Sequence, residues 1–334
     1  MTWLKNPGAA AAVFAAVLLL WSPAQAGEPS ADCKPLTLVS SVDLVPAENT
    51  SEELVPVEIN GTPKLMLLDT GGVYTEITSD AVDELKLPER RGGFELYDVS
   101  GFSTSKYTMA SFKLGLLHAD KVAFVITGAK FSDDPRVAGL LAPDILSHYD
   151  VSLDFGANKL DLLSQDHCAG PVVYWPAAAV AVIPIEVLES KHIVISVVLD
   201  GHRTSAILDT GAADSTLSQP AAVGPFGITL GSPDSPRNGE LPGRPGAYTY
   251  SHIFKSLDLE GIAVSNIQVT LIPNFLHKLE NAPPIDSRIP DRSRADDKPD
   301  MLIGMNVLRH LHIYIDYKNK VLYVTPAAAP ATAK

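Results

Sequence analysis

The chain repeats itself, and this internal repeat constrains the fold more than any other feature. Apolar segments at 65–68 and 205–208 each run directly into the tripeptide Asp-Thr-Gly, which occupies 69–71 and 209–211. A repeat of this length predicts two copies of one structural unit within a single chain. The chain has 334 residues, which is enough for two units of ordinary domain size.

The repeat extends to both sides of the tripeptides. Before them, we match the apolar segment 55–59 with 183–187, and after them we match Ala138-Gly139 with Ile303-Gly304. Each half then ends in a predicted β-hairpin. The two halves therefore correspond over most of their length.

Most of the chain is predicted to be β-structure. Short runs of β-branched and aromatic residues alternate with Gly, Asn, Asp and Pro, as is typical of strands and turns. A helical pattern is confined to residues 78–87, with Thr78 or Ser79 as the N-cap, and to short turns that end at His148 and His310. We therefore predict an all-β fold of two pseudo-symmetric, barrel-like halves with a few short helices.

The first 26 residues have the pattern of a signal peptide. Lys5 precedes an apolar run from Gly8 to Trp21, and Ala24-Gln25-Ala26 supplies a cleavage site after Ala26. The apolar run is short for a membrane span of about 20 residues, although an uncleaved anchor is the alternative. We therefore predict a soluble mature protein that is periplasmic or secreted.

Composition and spacing argue against several ligands. The formal net charge is −13 and the sequence shows no Lys/Arg stripe, which argues against a nucleic-acid partner. The His residues form no H-x-x-x-H pattern and the Cys residues no C-x-x-C, so we predict neither a metal nor another cofactor. In an exported chain, Cys33 and Cys168 are compatible with one intrachain disulfide, and two unpaired thiols are the alternative.

The two tripeptides make the chain resemble the aspartic peptidases, and more closely their retropepsin-like branch. The resemblance rests on Asp69-Thr70-Gly71 with Ala138-Gly139 and on Asp209-Thr210-Gly211-Ala212 with Ile303-Gly304, and it covers about residues 54–324. It implies a bilobal acid-protease fold, with two retropepsin-like halves in one chain as in bacterial exported proteases of this type. The chain departs from the family pattern at Gly72, where a small hydroxyl residue or Ala is usual.

The resemblance assigns the chemistry to Asp69 and Asp209. Two carboxyls about 3 Å apart share one proton, because both cannot ionise together. One carboxylate can then activate a water as a base, while the protonated partner polarises a peptide carbonyl as an acid. The resemblance further implies that threonines join the two loops by hydrogen bonds and that glycines let the backbone approach the carboxyls. These supporting residues are Thr70, Gly71, Thr210 and Gly211.

The predicted organisation is a signal peptide at 1–26, a first half at 27–163, a linker at 164–180, a second half at 181–325 and a flexible tail at 326–334. We expect a monomer, since one chain supplies both aspartates. Residues 98–107 and 238–247 are candidate flaps over the cleft, and plain hairpin tips are the alternative. The predicted function is an aspartic endopeptidase with a polypeptide substrate. The alternative is a catalytically silent peptide- or protein-binding module on the same scaffold.

Overall fold

The computed structural model describes residues 34–97, 103–168, 170, 172–241, 244–273 and 299–328. The first half contains β1 Leu38–Asp43, β2 Val45–Pro46, β3 Glu53–Ile59, β4 Thr62–Leu68, β5 Glu76–Thr78, α1 Ser79–Glu84, β6 Arg90–Tyr97, β7 Ser103–Leu114, β8 Leu117–Thr127, β9 Val137–Leu141, α2 Pro143–Leu146, β10 Asp150–Asp154 and β11 Lys159–Leu163. The second half contains β12 Ala181–Pro184, β13 Glu186–Val187, β14 Ile193–Leu199, β15 His202–Leu208, β16 Ser215–Ser218, α3 Gln219–Val223, β17 Arg237–Glu240, β18 Tyr248–Leu259, β19 Ile262–Ile272, β20 Met301–Ile303, α4 Met305–Leu308, β21 Leu311–Asp316 and β22 Val321–Pro326.

The two halves share one sheet topology. The strand order is β2-β3-β4-β9-β5-β8-β7-β6 in the first half and β13-β14-β15-β20-β16-β19-β18-β17 in the second, so every strand has its counterpart at the same place. Additional pairings of β3 with β7 and of β14 with β18 curl each sheet toward a barrel. This duplicated architecture confirms the predicted all-β, bilobal fold.

A third sheet joins the halves. Its order is β1-β11-β10-β21-β22-β12, so three strands come from each half. The halves meet where β10 pairs with β21 in antiparallel register, with Val151 opposite Ile315. The connection between β11 and β12 spans residues 164–180, and its described residues form neither strand nor helix. The shared sheet fixes the two lobes relative to each other.

The connection between the halves packs against the start of the first half. The backbone N–H of Cys168 donates to the Lys34 carbonyl at 2.9 Å, and the Lys34 ammonium lies 2.6 Å from the Asp166 carboxylate. Cys33, the partner that we predict for Cys168, lies outside the described residues, as does the predicted signal peptide. Both therefore stay predictions. No helix among the described residues is long and apolar enough to cross a bilayer.

Helices α1, α2 and α4 form where the sequence predicts them, whereas α3, the counterpart of α1 in the second half, was not predicted. The Thr78 hydroxyl accepts a hydrogen bond from the Ala81 N–H at 3.2 Å, so Thr78 is the N-cap of α1. The helix ends at Glu84, three residues before the predicted end. His148 and His310 lie just beyond α2 and α4, as expected.

The structure corrects the strand that we matched in front of the second tripeptide. The counterpart of β3 is β14, at 193–199, whereas segment 183–187 forms the end of β12 and β13. The turns that follow β3 and β14 are Asn60-Gly61 and Asp200-Gly201, in which all four residues have positive φ. Such pairs favour the two-residue hairpin turn that joins adjacent strands. These two turns were the sequence signal that would have identified β14 as the counterpart of β3.

Candidate active site

Each aspartate follows a central strand of its own half. Strand β4 lies between β3 and β9, and β15 lies between β14 and β20. The backbone N–H of Asp69 donates to the Leu141 carbonyl, and that of Asp209 donates to the Ile303 carbonyl, each at 3.0 Å. The five residues at the end of β4 are all buried. A rigid strand therefore ends at each carboxyl and fixes its position.

Four hydrogen bonds link the two tripeptides. The Thr70 hydroxyl donates to the Leu208 carbonyl at 2.8 Å and accepts from the Thr210 N–H at 3.1 Å. In mirror fashion, the Thr210 hydroxyl donates to the Leu68 carbonyl at 2.8 Å and accepts from the Thr70 N–H at 3.0 Å. Both threonines are buried, so water does not compete for these bonds. This link between the loops agrees with what the resemblance implies.

Gly71 and Gly211 each lie against the carboxyl of the opposite half. Their N–H groups donate to their own aspartates, Gly71 to Asp69 and Gly211 to Asp209, each at 2.9 Å. A Cβ on Gly211 would lie 2.5 Å from Cγ of Asp69, and one on Gly71 would lie 2.5 Å from Oδ1 of Asp209. Only residues without a side chain allow this approach.

The two carboxyls lie within hydrogen-bonding reach of each other and titrate as a pair. Burial raises the pKa of Asp69, while hydrogen bonds from Asp209 and from the backbone oppose this rise. Burial and then the negative charge of Asp69 raise the pKa of Asp209 well above its ordinary value. The pair therefore keeps one proton at a pH where isolated aspartates would have lost theirs.

A second pair of contacts supports the loops, and the sequence analysis missed it. The Asp144 carboxylate accepts from the Thr75 N–H at 2.9 Å and from its hydroxyl at 2.6 Å. The Asn306 carbonyl oxygen accepts from the Ser215 N–H at 2.9 Å and from its hydroxyl at 2.7 Å. Thr75 and Ser215 stand at the same distance after their aspartates, and that matched spacing was the available signal.

The glycine that we matched in the first half is three positions too early. Strand pairing places Leu68 opposite Leu141 and Leu208 opposite Ile303, so Ala142 is the counterpart of Gly304. Gly139 is required for another reason. Its strand β9 pairs with β5 in antiparallel register, and a Cβ on Gly139 would overlap the backbone of Glu76.

This corrected match explains the departure at Gly72. A Cβ on Gly72 would lie 3.2 Å from the Ala142 methyl and 3.0 Å from an Asp69 carboxylate oxygen. In the second half, Ala212 stands at the position of Gly72 and Gly304 at that of Ala142. A Cβ on Gly304 would lie 2.6 Å from the Asp214 carbonyl carbon and 2.7 Å from the Ala212 carbonyl oxygen, so backbone contacts require this glycine. Each half therefore has one alanine and one glycine at these two positions.

His192 lies beside the dyad and was not predicted. Its Nε2 lies 2.8 Å from the Gly71 carbonyl oxygen, and its Nδ1 lies 3.1 Å from the Ser190 hydroxyl. Burial lowers the pKa of His192, while the hydrogen bond to Gly71 and the charge of Asp69 act in the opposite direction. The residue thus joins the second half to the first tripeptide.

Among the described residues, one group of potential metal ligands lies at the third sheet, with two members on its strands and one in the connection between the halves. Asp150, His167 and Asp316 place ligand atoms within 4.8 Å of one another, and all three are buried. Asp150 already accepts hydrogen bonds from His167 at 2.6 Å and from Tyr314 at 3.0 Å. Both oxygens of Asp316 accept from Asn319, each at 2.8 Å. Hydrogen bonds within the protein thus engage all three residues, while the other carboxylate oxygen of Asp150 is buried without a hydrogen-bond partner, and we assign no metal to the group.

Both candidate flaps belong to equivalent hairpins. Strands β6 and β7 pair up to Tyr97 and Ser103, and residues 98–102, the tip of this candidate, lie outside the described residues. In the second half, β17 pairs with β18, and the Leu241 N–H donates to the Ala247 carbonyl at 2.9 Å across the turn. That the tips cover the dyad stays a prediction.

Comparison with known proteins agrees with the fold and the site. A family model described as aspartyl protease matches residues 55–144 and 195–307, which is more than half of the chain. The chain therefore belongs to the aspartyl protease family. The two matched segments begin at equivalent positions of β3 and β14, in line with the corrected repeat.

Among solved structures, the aspartic proteinase from Irpex lacteus is similar in fold. The match has a TM-score of 0.50 and 13% sequence identity, and it covers 87% of this chain and 98% of that chain. At this identity, the likeness is evidence for the fold alone. No curated protein matches the sequence.

Proposed function

We propose that this protein is an aspartic endopeptidase that hydrolyses extracytoplasmic proteins or peptides. The observation that carries the proposal is the dyad. The carboxyls of Asp69 and Asp209 lie within hydrogen-bonding reach of each other, and four threonine hydrogen bonds hold their loops together. A turn aspartate needs neither burial nor a carboxyl partner. Two buried carboxyls of raised pKa are an unfavourable arrangement unless the chemistry uses them.

The geometry supports a mechanism with one proton between Asp69 and Asp209. The ionised carboxyl takes a proton from a water molecule, which attacks the carbonyl carbon of the peptide bond. The protonated carboxyl donates a hydrogen bond to the carbonyl oxygen, where negative charge develops. The resulting tetrahedral species then collapses, and the amine leaves with a proton supplied by the dyad. Since the loops are fixed before substrate binds, the carboxyls need no rearrangement at the moment of reaction.

The substrate is proposed to lie extended between the two lobes. Each half supplies one aspartate of the dyad, and the candidate flap hairpins occupy equivalent places in each sheet. An extended peptide can pair its backbone with exposed hairpin strands, and its side chains then decide specificity. We propose that the chain acts in the periplasm or outside the cell, because residues 1–26 have the signal-peptide pattern. Amino-terminal sequencing that begins at Gly27 would support this; retention of Met1 would contradict it.

The central test is digestion of a peptide library by the wild type, Asp69→Asn and Asp209→Asn. We expect each substitution to lower kcat/KM by roughly 10²–10⁴-fold or more, because one proton-transfer partner is lost. The control is Asp120→Asn, since that side chain is 89% exposed and pairs only with the nearby, exposed His118. Full cleavage by Asp209→Asn would refute the mechanism. Tight, pH-dependent binding of a pepstatin-type transition-state mimic would favour the enzyme, whereas peptide binding without cleavage and without binding of the mimic would favour the silent binding module.

A further inference from the structure

His192 reaches from the second half to the first tripeptide. It lies directly before β14, and its imidazole is partly buried between Ser190 and the Gly71 carbonyl. The same Gly71 residue donates its N–H to Asp69 at 2.9 Å. Gly71 therefore contacts the His192 imidazole through its carbonyl oxygen and the Asp69 carboxylate through its N–H.

The hydrogen-bond partners define the state of this imidazole. A carbonyl oxygen only accepts, so Nε2 of His192 must carry a hydrogen. The Ser190 hydroxyl can donate to Nδ1, which leaves a neutral ring with both nitrogens satisfied. Burial favours this neutral form, as the lowered pKa of His192 indicates. At acidic pH, a second proton on the ring would place a positive charge beside Asp69.

The first half has no equivalent donor. Strand register places Leu54 opposite Leu67 and Val194 opposite Ile207, so Glu52 occupies the position of His192. A glutamate carboxylate cannot donate to a carbonyl oxygen. The first half instead crosses to the second through Ser51, whose hydroxyl donates to the Ala213 carbonyl at 3.0 Å. Serine carries no charge, so this contact cannot favour ionisation of Asp209.

We propose that His192 is a positioning residue that makes the dyad asymmetric: it anchors the Gly71 loop from the opposite half and favours ionisation of Asp69, so that Asp209 carries the shared proton. The catalytic part of this inference rests on the proposed function. The charged group that acts on the ring is Asp69, whose carboxyl is in turn paired with that of Asp209. The neighbouring side chains of Glu189 and Lys191 belong to exposed residues, where water screens their charges.

The sign of the pH effect follows from this arrangement. Protonated His192 stabilises the anion on Asp69, so the singly ionised dyad persists to lower pH than it would beside a neutral residue. His192→Gln can still donate an N–H to Gly71 but never becomes charged. We expect this variant to retain activity near its optimum, with the acidic limb of kcat/KM moved up by roughly one pH unit. His192→Leu loses the anchor as well, so kcat/KM should fall about tenfold across the whole profile.

The experiment compares pH profiles of the wild type, both His192 variants and His118→Gln, whose side chain is 57% exposed on β8. An unshifted acidic limb in the pH profile of His192→Gln, equal to that of the control, would overturn the inference.

A measurement that needs no turnover separates this outcome from failure of the proposed function. Carbon-13 NMR of the aspartate carboxyls, with the dyad signals identified by their loss in Asp69→Asn and Asp209→Asn, gives the apparent pKa values of the pair. If the wild type cleaves nothing, the peptidase function fails, while an upward shift of the first apparent pKa in His192→Gln still supports the role of His192. Unchanged titration of both carboxyls contradicts it.

Discussion

Thr70→Val tests whether hydroxyl hydrogen bonds, rather than packing alone, join the two halves at the dyad. Valine has nearly the shape of threonine but replaces the hydroxyl with a methyl group. The change removes the donor to the Leu208 carbonyl and the acceptor of the Thr210 N–H, both in a buried setting. A buried polar group that loses its partner costs about 1–3 kcal/mol. Two such groups should lower the free energy of unfolding by about 2–6 kcal/mol, a large part of the usual stability of about 5–15 kcal/mol.

Urea denaturation of the wild type, Thr70→Val and Thr70→Ser measures this effect. Serine keeps the hydroxyl and loses one methyl, so Thr70→Ser should lose only about 1 kcal/mol. The loops carry the dyad, so Thr70→Val should also lower kcat/KM, because a misplacement of about 1 Å can cost about 100-fold in rate. Equal stability of Thr70→Val and Thr70→Ser would show that the hydroxyl contributes nothing and would refute the reasoning.

Three further changes test neighbouring contacts. Gly211→Ala would bring a methyl to 2.5 Å from Cγ of Asp69, so we expect folded protein with kcat/KM lowered about 100-fold or more; wild-type kinetics would contradict this. Gly72→Ala would press on Ala142, so it should lose about 1–3 kcal/mol in urea denaturation, and Ala142→Gly in the same chain should restore most of that loss. No rescue would exclude the contact as the cause. Burial raises the pKa of Glu53 from an ordinary value of 4.5 to about 7, so the folded protein holds this proton more tightly than the unfolded chain. Stability should therefore fall as pH rises from about 4.5 to about 7, and Glu53→Gln should remove the part of that fall that comes from this carboxyl and be more stable than the wild type at pH 8 by at most about 3 kcal/mol. A wild type whose stability does not fall over this interval would contradict the burial argument.

The fold class and the dyad could be predicted because their signals are local and occur twice. Asp-Thr-Gly after an apolar strand is weak evidence in one copy, since Asp and Gly are ordinary turn residues. The second copy, with equivalent apolar segments around it, made a shared site the better interpretation. The cross-links by Thr70 and Thr210 were also expected, but only because the family resemblance implies them.

The residue-by-residue match of the halves was harder to predict, because apolar strands resemble one another. Segment 183–187 was mistaken for the counterpart of β3, and Gly139 for the counterpart of Gly304. Turn chemistry would have corrected the first error, since Asn60-Gly61 and Asp200-Gly201 stand at equivalent places. The second error could be recognised only from strand pairing, because Gly139 is needed where β9 pairs closely with β5, a long-range contact.

His192 shows a further limit of reasoning from a repeat. Searching for equivalent residues finds what the halves share, and it overlooks what only one half contains. The shared features are backbone hydrogen bonds and threonine hydroxyls, which place the two carboxyls symmetrically. The ionisable neighbours differ: the second half has His192 where the first has Glu52, and the first has Asp144 where the second has Asn306. A symmetric dyad has no preference for which aspartate holds the single proton. On our proposal the two tasks are divided: the duplicated scaffold sets the distance between the carboxyls, and the unmatched His192 decides which of them is ionised.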